Sequence, residues 1–175
     1  MKLIFPWRIY NEILDISDEY NSLLKNEIIS LVPKTARYGE VRTTYLNVHT
    51  LCNPIFSELI SKIEEEASKY AGFKVNISEF WTTVADQGAY HSIHNHSPQI
   101  LSGVYYVESP PGLTLDFFNE KPLIKTMSQY YREPIESKKL VLFEGWVPHG
   151  FAPVPNIEPK ISIAFNFKDY SATPL

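Results

Sequence analysis

The chain has 175 residues, 44% of them hydrophobic and 21% charged, with a formal net charge of −4. This is the length and balance of one globular domain able to bury a core, and it gives no reason to expect a nucleic-acid or anionic-membrane partner. A single cysteine, Cys52, excludes an internal disulfide, and no apolar run approaches a membrane span, so a cytoplasmic protein is expected.

Residues 1–9 read as a lead-in strand. From about Tyr10 to Leu31 the apolar positions Ile13, Leu14, Ile16, Tyr20, Leu23, Leu24, Ile28 and Ile29 recur at helical spacing, and Pro33 ends the run. Residues 39–50 alternate loosely and predict an extended segment. A clearer helix follows, with Asn53 as N-cap, Pro54 at the first helical position, an apolar face of Ile55, Phe56, Leu59, Ile60, Ile63 and Ala67, and Gly72 as C-cap.

After Gly72 strands dominate. The predicted strands are 74–85, 89–94, 100–108, 113–118, 139–143, 147–154 and 160–167, separated by turn-forming residues such as Asp86-Gln87-Gly88, Ser97-Pro98 and Pro110-Pro111-Gly112. Residues 119–138 carry no strong pattern and predict a long lid or binding loop, with Tyr130, Tyr131 and Arg132 available for contacts. The expectation is one domain over 1–175: a helical support region at 1–73 and a strand-rich core at 74–168. The class is mainly β with N-terminal helices (α+β), as a sheet sandwich or small barrel with helices on one face.

The stretch from Trp81 to Val107 holds three of the five histidines, His91, His94 and His96. Residues two apart on a strand share a face, so His94 and His96 can aim at one point, while His91 should face the other way. His149 follows 53 residues after His96. A same-face pair and a distant third from another strand is how an open mononuclear metal site is often built. His49 lies outside this constellation and is read as incidental. Trp81 and Trp146 are read as core. Of the pair Tyr105 and Tyr106, which straddle a sheet, one is packing; Tyr105 is assigned to that role.

The order and spacing of several segments resemble the iron(II)- and 2-oxoglutarate-dependent oxygenases, most of all the small oxygenases distantly akin to prolyl hydroxylases. These segments are the one at Trp81, His94-Asn95-His96, Ser102-Gly103-Val104-Tyr105-Tyr106-Val107, Leu142 to His149, and Lys160 to Asn166, together covering about residues 76–168. The resemblance implies a double-stranded β-helix, the jelly-roll of cupins. It implies Fe(II) held by His94, His96 and His149, with His96 where the family usually has a carboxylate; no Asp or Glu lies between Asp86 and Glu108 to restore one. It also implies that Lys160, where the family usually has arginine, binds the far carboxylate of 2-oxoglutarate together with Ser162 and Tyr106. The implied activity is hydroxylation of an unidentified small molecule or protein side chain. A three-histidine cupin-type dioxygenase without 2-oxoglutarate, and a non-catalytic binding module, are the alternatives.

Overall fold

The computed structural model describes residues 7–32, 37–38 (backbone only), 41–45, 50–119, 130–155 and 157–168. Its strands are β1 (Ile9–Ile13), β2 (Arg37–Tyr38), β3 (Val41–Thr43), β4 (Ile77–Ala85), β5 (His91–His94), β6 (Leu101–Glu108), β7 (Thr114–Phe118), β8 (Tyr130–Pro134), β9 (Lys139–Glu144), β10 (His149–Phe151) and β11 (Lys160–Phe167). Two α-helices, α1 (Asp18–Leu31) and α2 (Ser57–Ala71), precede β4. No helix among the described residues is long and apolar enough to cross a membrane.

The strands form a seven-stranded sheet, β1-β9-β6-β11-β4-β3-β2, facing a four-stranded sheet, β5-β10-β7-β8. The large sheet is covered on both faces, and strand alternation sorts its side chains between two cores. Ile161, Ile163 and Phe165 of β11, Tyr105 and Val107 of β6, and Leu140 and Leu142 of β9 pack toward Leu24 and Ile28 of α1 and Leu59 and Ile63 of α2. Tyr106, Val141 and Phe143 point the other way, toward Leu115 and Phe117 of the small sheet. Because both faces are buried, Leu140–Phe143 reads as a continuous apolar run rather than an alternating one.

The N-terminal third departs from the predicted elements in an informative way. Ile9–Ile13 is a strand, paired in full register from Ile9 opposite Phe143 to Ile13 opposite Lys139. The helix begins only at Asp18, where the Ser17 hydroxyl accepts the Tyr20 N–H at 3.1 Å and Asp18 and Glu19 complement the helix dipole. Ile13, Leu14 and Ile16 fit a helical period, but the open edge of β9 offers that segment a ladder of backbone hydrogen bonds. With β2 and β3 also joined to the large sheet, residues 1–73 contribute strands as well as helical support.

Asn53 caps as expected, accepting the Ile55 N–H at 3.2 Å; the first turn, Pro54–Phe56, is a 3₁₀ turn that runs into α2, and Gly72 ends α2 at φ 82°. The predicted loop at 119–138 is in part β8, paired with β7 from Thr114 opposite Pro134 to Phe118 opposite Tyr130. Tyr130, Tyr131 and Arg132 thus belong to an edge strand, whereas residues 120–129, like His49, lie outside the described residues.

The tightest approach in the large sheet is at Gly103. A Cβ there would meet Phe165 Cε2 at 2.5 Å and Leu142 Cδ2 at 2.7 Å, both on fully buried side chains that cannot retreat. Gly103→Ala is expected to destabilise the fold by about 1–3 kcal/mol, seen as a lower urea midpoint at unchanged m-value.

Candidate metal centre

The side chains of His94, His96 and His149 converge between the sheets, each offering a ligand atom within 4.8 Å of the other two. β10 lies between β5 and β7, and His149 stands opposite His94 on one side and Phe117 on the other. The ring centres are 4.4 Å apart for His94 and His149, 5.0 Å for His94 and His96, and 5.2 Å for His96 and His149.

Two of these rings are oriented by the chain just before them. His94 Nδ1 lies 2.8 Å from the Ser92 carbonyl oxygen and His149 Nδ1 2.9 Å from that of Val147. A carbonyl can only accept, so each Nδ1 carries the proton and each Nε2 keeps its lone pair for a metal. Burial holds all three rings neutral: His94 is lowered, His96 is lowered to about 4 and His149 falls well below its ordinary value. Neutral imidazole is the form that binds metal.

His96 reaches the cluster by a different route from the one strand alternation suggests. β5 ends at His94, and His96 sits in the following turn. Its N–H donates to the Gly145 carbonyl at 2.7 Å, and its carbonyl accepts the Gln99 N–H at 2.8 Å. The Gln99 side chain donates to Glu79 Oε1 at 3.2 Å, Asn166 Nδ2 donates to Glu79 Oε2 at 2.7 Å, and the Ser102 hydroxyl donates to Asn166 Oδ1 at 2.7 Å. This polar layer ties the turn to β4, β6 and β11. The pair of histidines does meet at one point, but a clamped turn is the cause.

His91 also corrects the simple parity rule. β5 and β10 pair His94 with His149 and His91 with Phe151, which leaves two residues, Ser92 and Ile93, opposite the single Gly150. This β-bulge reverses the side to which His91 points. Ser92 and Ile93 are exposed, while the His91 ring stands 4.2 Å from that of His94 and lines the same cavity. It is not part of the three-residue cluster, and burial together with the neighbouring His94 and Lys160 lowers it to about 4.

The cavity's other wall comes from β4, β6 and β11. Trp81, Thr83, Tyr106, Lys160, Ser162 and Ala164 line it. Lys160 is only 4% exposed, its Nζ lies 3.7 Å from the centre of the Phe151 ring, and burial lowers it to about 7. Tyr106 is buried here and its hydroxyl is pushed up by burial; Tyr105 lies on the opposite face and donates to Asn21 at 2.9 Å. None of Lys160 Nζ, Ser162 Oγ and Tyr106 Oη has a hydrogen-bond partner among the described residues. Trp81 is a wall of the cavity, 5.8 Å from the His96 ring, and not plain core. Trp146 is 42% exposed and packs edge-on against Trp7. The sequence reading also missed Thr83 and Phe151 as cavity residues; their spacing of two from Trp81 and from His149 is the signal that could have found them.

A double-stranded β-helix with three imidazoles gathered inside it defines a non-haem metal oxygenase architecture. A family model described as "Putative 2OG-Fe(II) oxygenase" matches residues 79–166, half of the chain and nearly all of β4 to β11. The chain belongs to this family of 2-oxoglutarate- and Fe(II)-dependent oxygenases. A search of curated protein sequences returned no match. Among solved structures it is similar to the non-haem α-ketoglutarate-dependent epimerase SnoN from nogalamycin biosynthesis, with TM-score 0.75 and 11% identity over 92% of this chain and 78% of that one. It is similar also to HygX from Streptomyces hygroscopicus with nickel, 2-oxoglutarate and hygromycin B bound (TM-score 0.72, 9% identity, 93% and 83% covered). A Pseudomonas putida prolyl-4-hydroxylase gives TM-score 0.66 and 12% identity over 91% of both chains. At such identities the likeness is one of fold.

A Cβ on Gly145 would collide with the Gln99 carbonyl oxygen, the backbone of the turn that carries His96. Gly145→Ala is therefore expected to displace His96 and weaken Fe(II) binding by roughly tenfold or more, while His94 and His149 stay in place. Anaerobic Fe(II) titration of the two proteins, with far-UV circular dichroism to show the sheets intact, measures it.

Proposed function

We propose that His94, His96 and His149 hold Fe(II), that Lys160, Ser162 and Tyr106 hold the far carboxylate of 2-oxoglutarate, and that the protein hydroxylates a small molecule in the cytoplasm. One observation carries the reading: three neutral imidazoles and an ammonium with no hydrogen-bond or ion-pair partner among the described residues open into the same cavity. The residues fit the cofactors. Imidazole nitrogen suits iron, and a buried cation beside two hydroxyls that have no partner among the described residues suits a carboxylate. Fe(II) and 2-oxoglutarate, when bound, would supply the chemistry that lets dioxygen act as oxidant, one oxygen atom going to the substrate and the other to succinate as carbon dioxide leaves the cosubstrate. The chain's own part is to orient the ligand atoms, hold the dianion at Lys160 and screen the site from water with Trp81, Phe143 and Phe151. A small-molecule substrate is supported by the nogalamycin RO bound to SnoN and the hygromycin B bound to HygX, and hydroxylation by the fold shared with a prolyl-4-hydroxylase. The single free cysteine, Cys52, suits a reducing compartment.

The charge on Lys160 gives the reading a pH signature. Only the ammonium attracts the dianion, and in the free protein it gives up its proton near pH 7. Binding then takes up a proton at higher pH, so affinity for 2-oxoglutarate should fall by roughly tenfold per pH unit above about pH 7 and be flat, as far as this group is concerned, below it. Among the described residues, the titratable groups facing Lys160 are His91 and Tyr106. Lys160→Arg, charged throughout, should remove the slope. Anaerobic dissociation constants for 2-oxoglutarate at saturating Fe(II) test this; a pH-independent wild type defeats the assignment of Lys160.

Three neutral ligands also leave the metal and the cosubstrate dianion with a summed charge of zero, where a carboxylate ligand would make it −1. His96→Asp is expected to retain iron yet bind 2-oxoglutarate more weakly, and Lys160→Arg in that background to recover part of the loss. The four proteins of this cycle, compared by anaerobic calorimetry, should differ by more than about twofold; four equal constants would refute the charge argument.

A further inference from the structure

β10 sends two side chains into the cavity, His149 and, two residues on, Phe151. Each faces a histidine of β5, His94 opposite His149 and His91 opposite Phe151. The second pair touches both ends of the site. The His91 ring is 4.2 Å from that of His94, and the Phe151 ring, 6.0 Å from His91, carries the Lys160 ammonium at 3.7 Å. A ligand that spans the three imidazoles and Lys160 must pass this pair.

The His91 ring is the histidine in the cavity that neither joins the metal cluster nor orients itself on a carbonyl. Its nitrogens have no hydrogen-bond partner among the described residues, whereas Nδ1 of His94 and of His149 each has one. An apolar ring would pack against His94 and Phe151 equally well, so packing does not account for the two polar atoms. The bulge that turns His91 inward leaves Ser92 and the apolar Ile93 in solvent, a local arrangement that burial of apolar surface would not select. Polar atoms that open into a cavity without a hydrogen-bond partner among the described residues are the atoms a ligand bound there would meet.

We propose that His91 is a cosubstrate-binding residue whose imidazole N–H donates to a carboxylate oxygen of 2-oxoglutarate lying between the three histidines and Lys160. This rests on the assignment of those residues under the proposed function. A lysine grips a carboxylate at one point, where a guanidinium offers a planar fork. His91 supplies a second donor from the opposite wall, so that two side chains on two sheets do what one arginine would do alone.

The test is anaerobic calorimetry on wild type, His91→Phe and His91→Gln, with 2-oxoglutarate titrated into Fe(II)-loaded protein and Fe(II) titrated separately into metal-free protein. His91→Phe keeps a ring between His94 and Phe151 and removes both nitrogens; His91→Gln keeps an N–H at similar reach. His91→Phe should weaken 2-oxoglutarate by about tenfold or more, as expected for a hydrogen bond to a charged group, with Fe(II) affinity within about twofold of wild type. His91→Gln should stay within about threefold of wild type for both ligands. Unchanged 2-oxoglutarate affinity in His91→Phe overturns the proposal. So does an equal loss in His91→Gln, and so does a parallel loss of Fe(II), which would mean that His91 acts only through its packing on His94. Should the phenylalanine variant not fold, His91→Leu takes its place with the same expectations. If Fe(II)-loaded wild type takes up no 2-oxoglutarate, the assignment of Lys160, Ser162 and Tyr106 falls first.

Discussion

The register of β11 governs both halves of this molecule. The strand runs between β4 and β6, paired from Lys160 opposite Ala85 to Phe167 opposite Ile77, and its side chains alternate between two environments. Ile161, Ile163 and Phe165 enter the core beneath the helices; Lys160, Ser162 and Ala164 face the cavity. A slip of one residue would exchange the two sets. It would drive the ammonium into an apolar core, a cost of several kcal/mol at least, and forfeit about 1.5–3 kcal/mol for each large apolar side chain turned out. The chemistry is therefore held in place by the hydrophobic face that has no part in it.

Within the cavity the electrostatics are those of a site built to wait for charge. The three clustered imidazoles are neutral because they are buried, and two of them are turned by backbone carbonyls so that a lone pair faces inward. Lys160 stands opposite without a counter-ion among the described residues, resting on the face of Phe151. Glu79, the carboxylate nearest in the chain of contacts behind His96, is occupied by Gln99 and Asn166 and serves the turn. Under the proposed function, a divalent cation and a dianion would supply what this wall lacks.

The same architecture in SnoN, HygX and a prolyl-4-hydroxylase accompanies epimerisation in the first and proline hydroxylation in the last. Fold does not choose among such outcomes. The choice belongs to whichever carbon of the substrate is brought nearest the metal, and so to the residues around the cavity's rim.

Much of the site was legible in the sequence because it is written in local terms. The same-side pair Lys160 and Ser162, the opposite faces of Tyr105 and Tyr106, and the Asn53 cap each depend on neighbours in the chain or on strand alternation; the meeting of His94 and His96 was read from alternation too, but a turn clamped from Gly145 makes it. Where the sequence reading went astray, a distant segment made the decision. Ile9–Ile13 became a strand because β9 had an open edge, although its apolar spacing fits a helix. Part of the presumed loop became β8 because β7 needed a partner. Trp81 lines the cavity and Trp146 is partly exposed against Trp7, since each tryptophan's surroundings are set by segments far from it in sequence. His91 shows the limit most sharply. Its side was reversed by a bulge that exists only where β5 meets β10, some sixty residues on. Residue type and alternation determined which groups this protein could bring to a metal. Which of them meet, and which way His91 turns, was decided by strand pairing, because hydrogen bonds between segments far apart in the chain set register, and register sets faces.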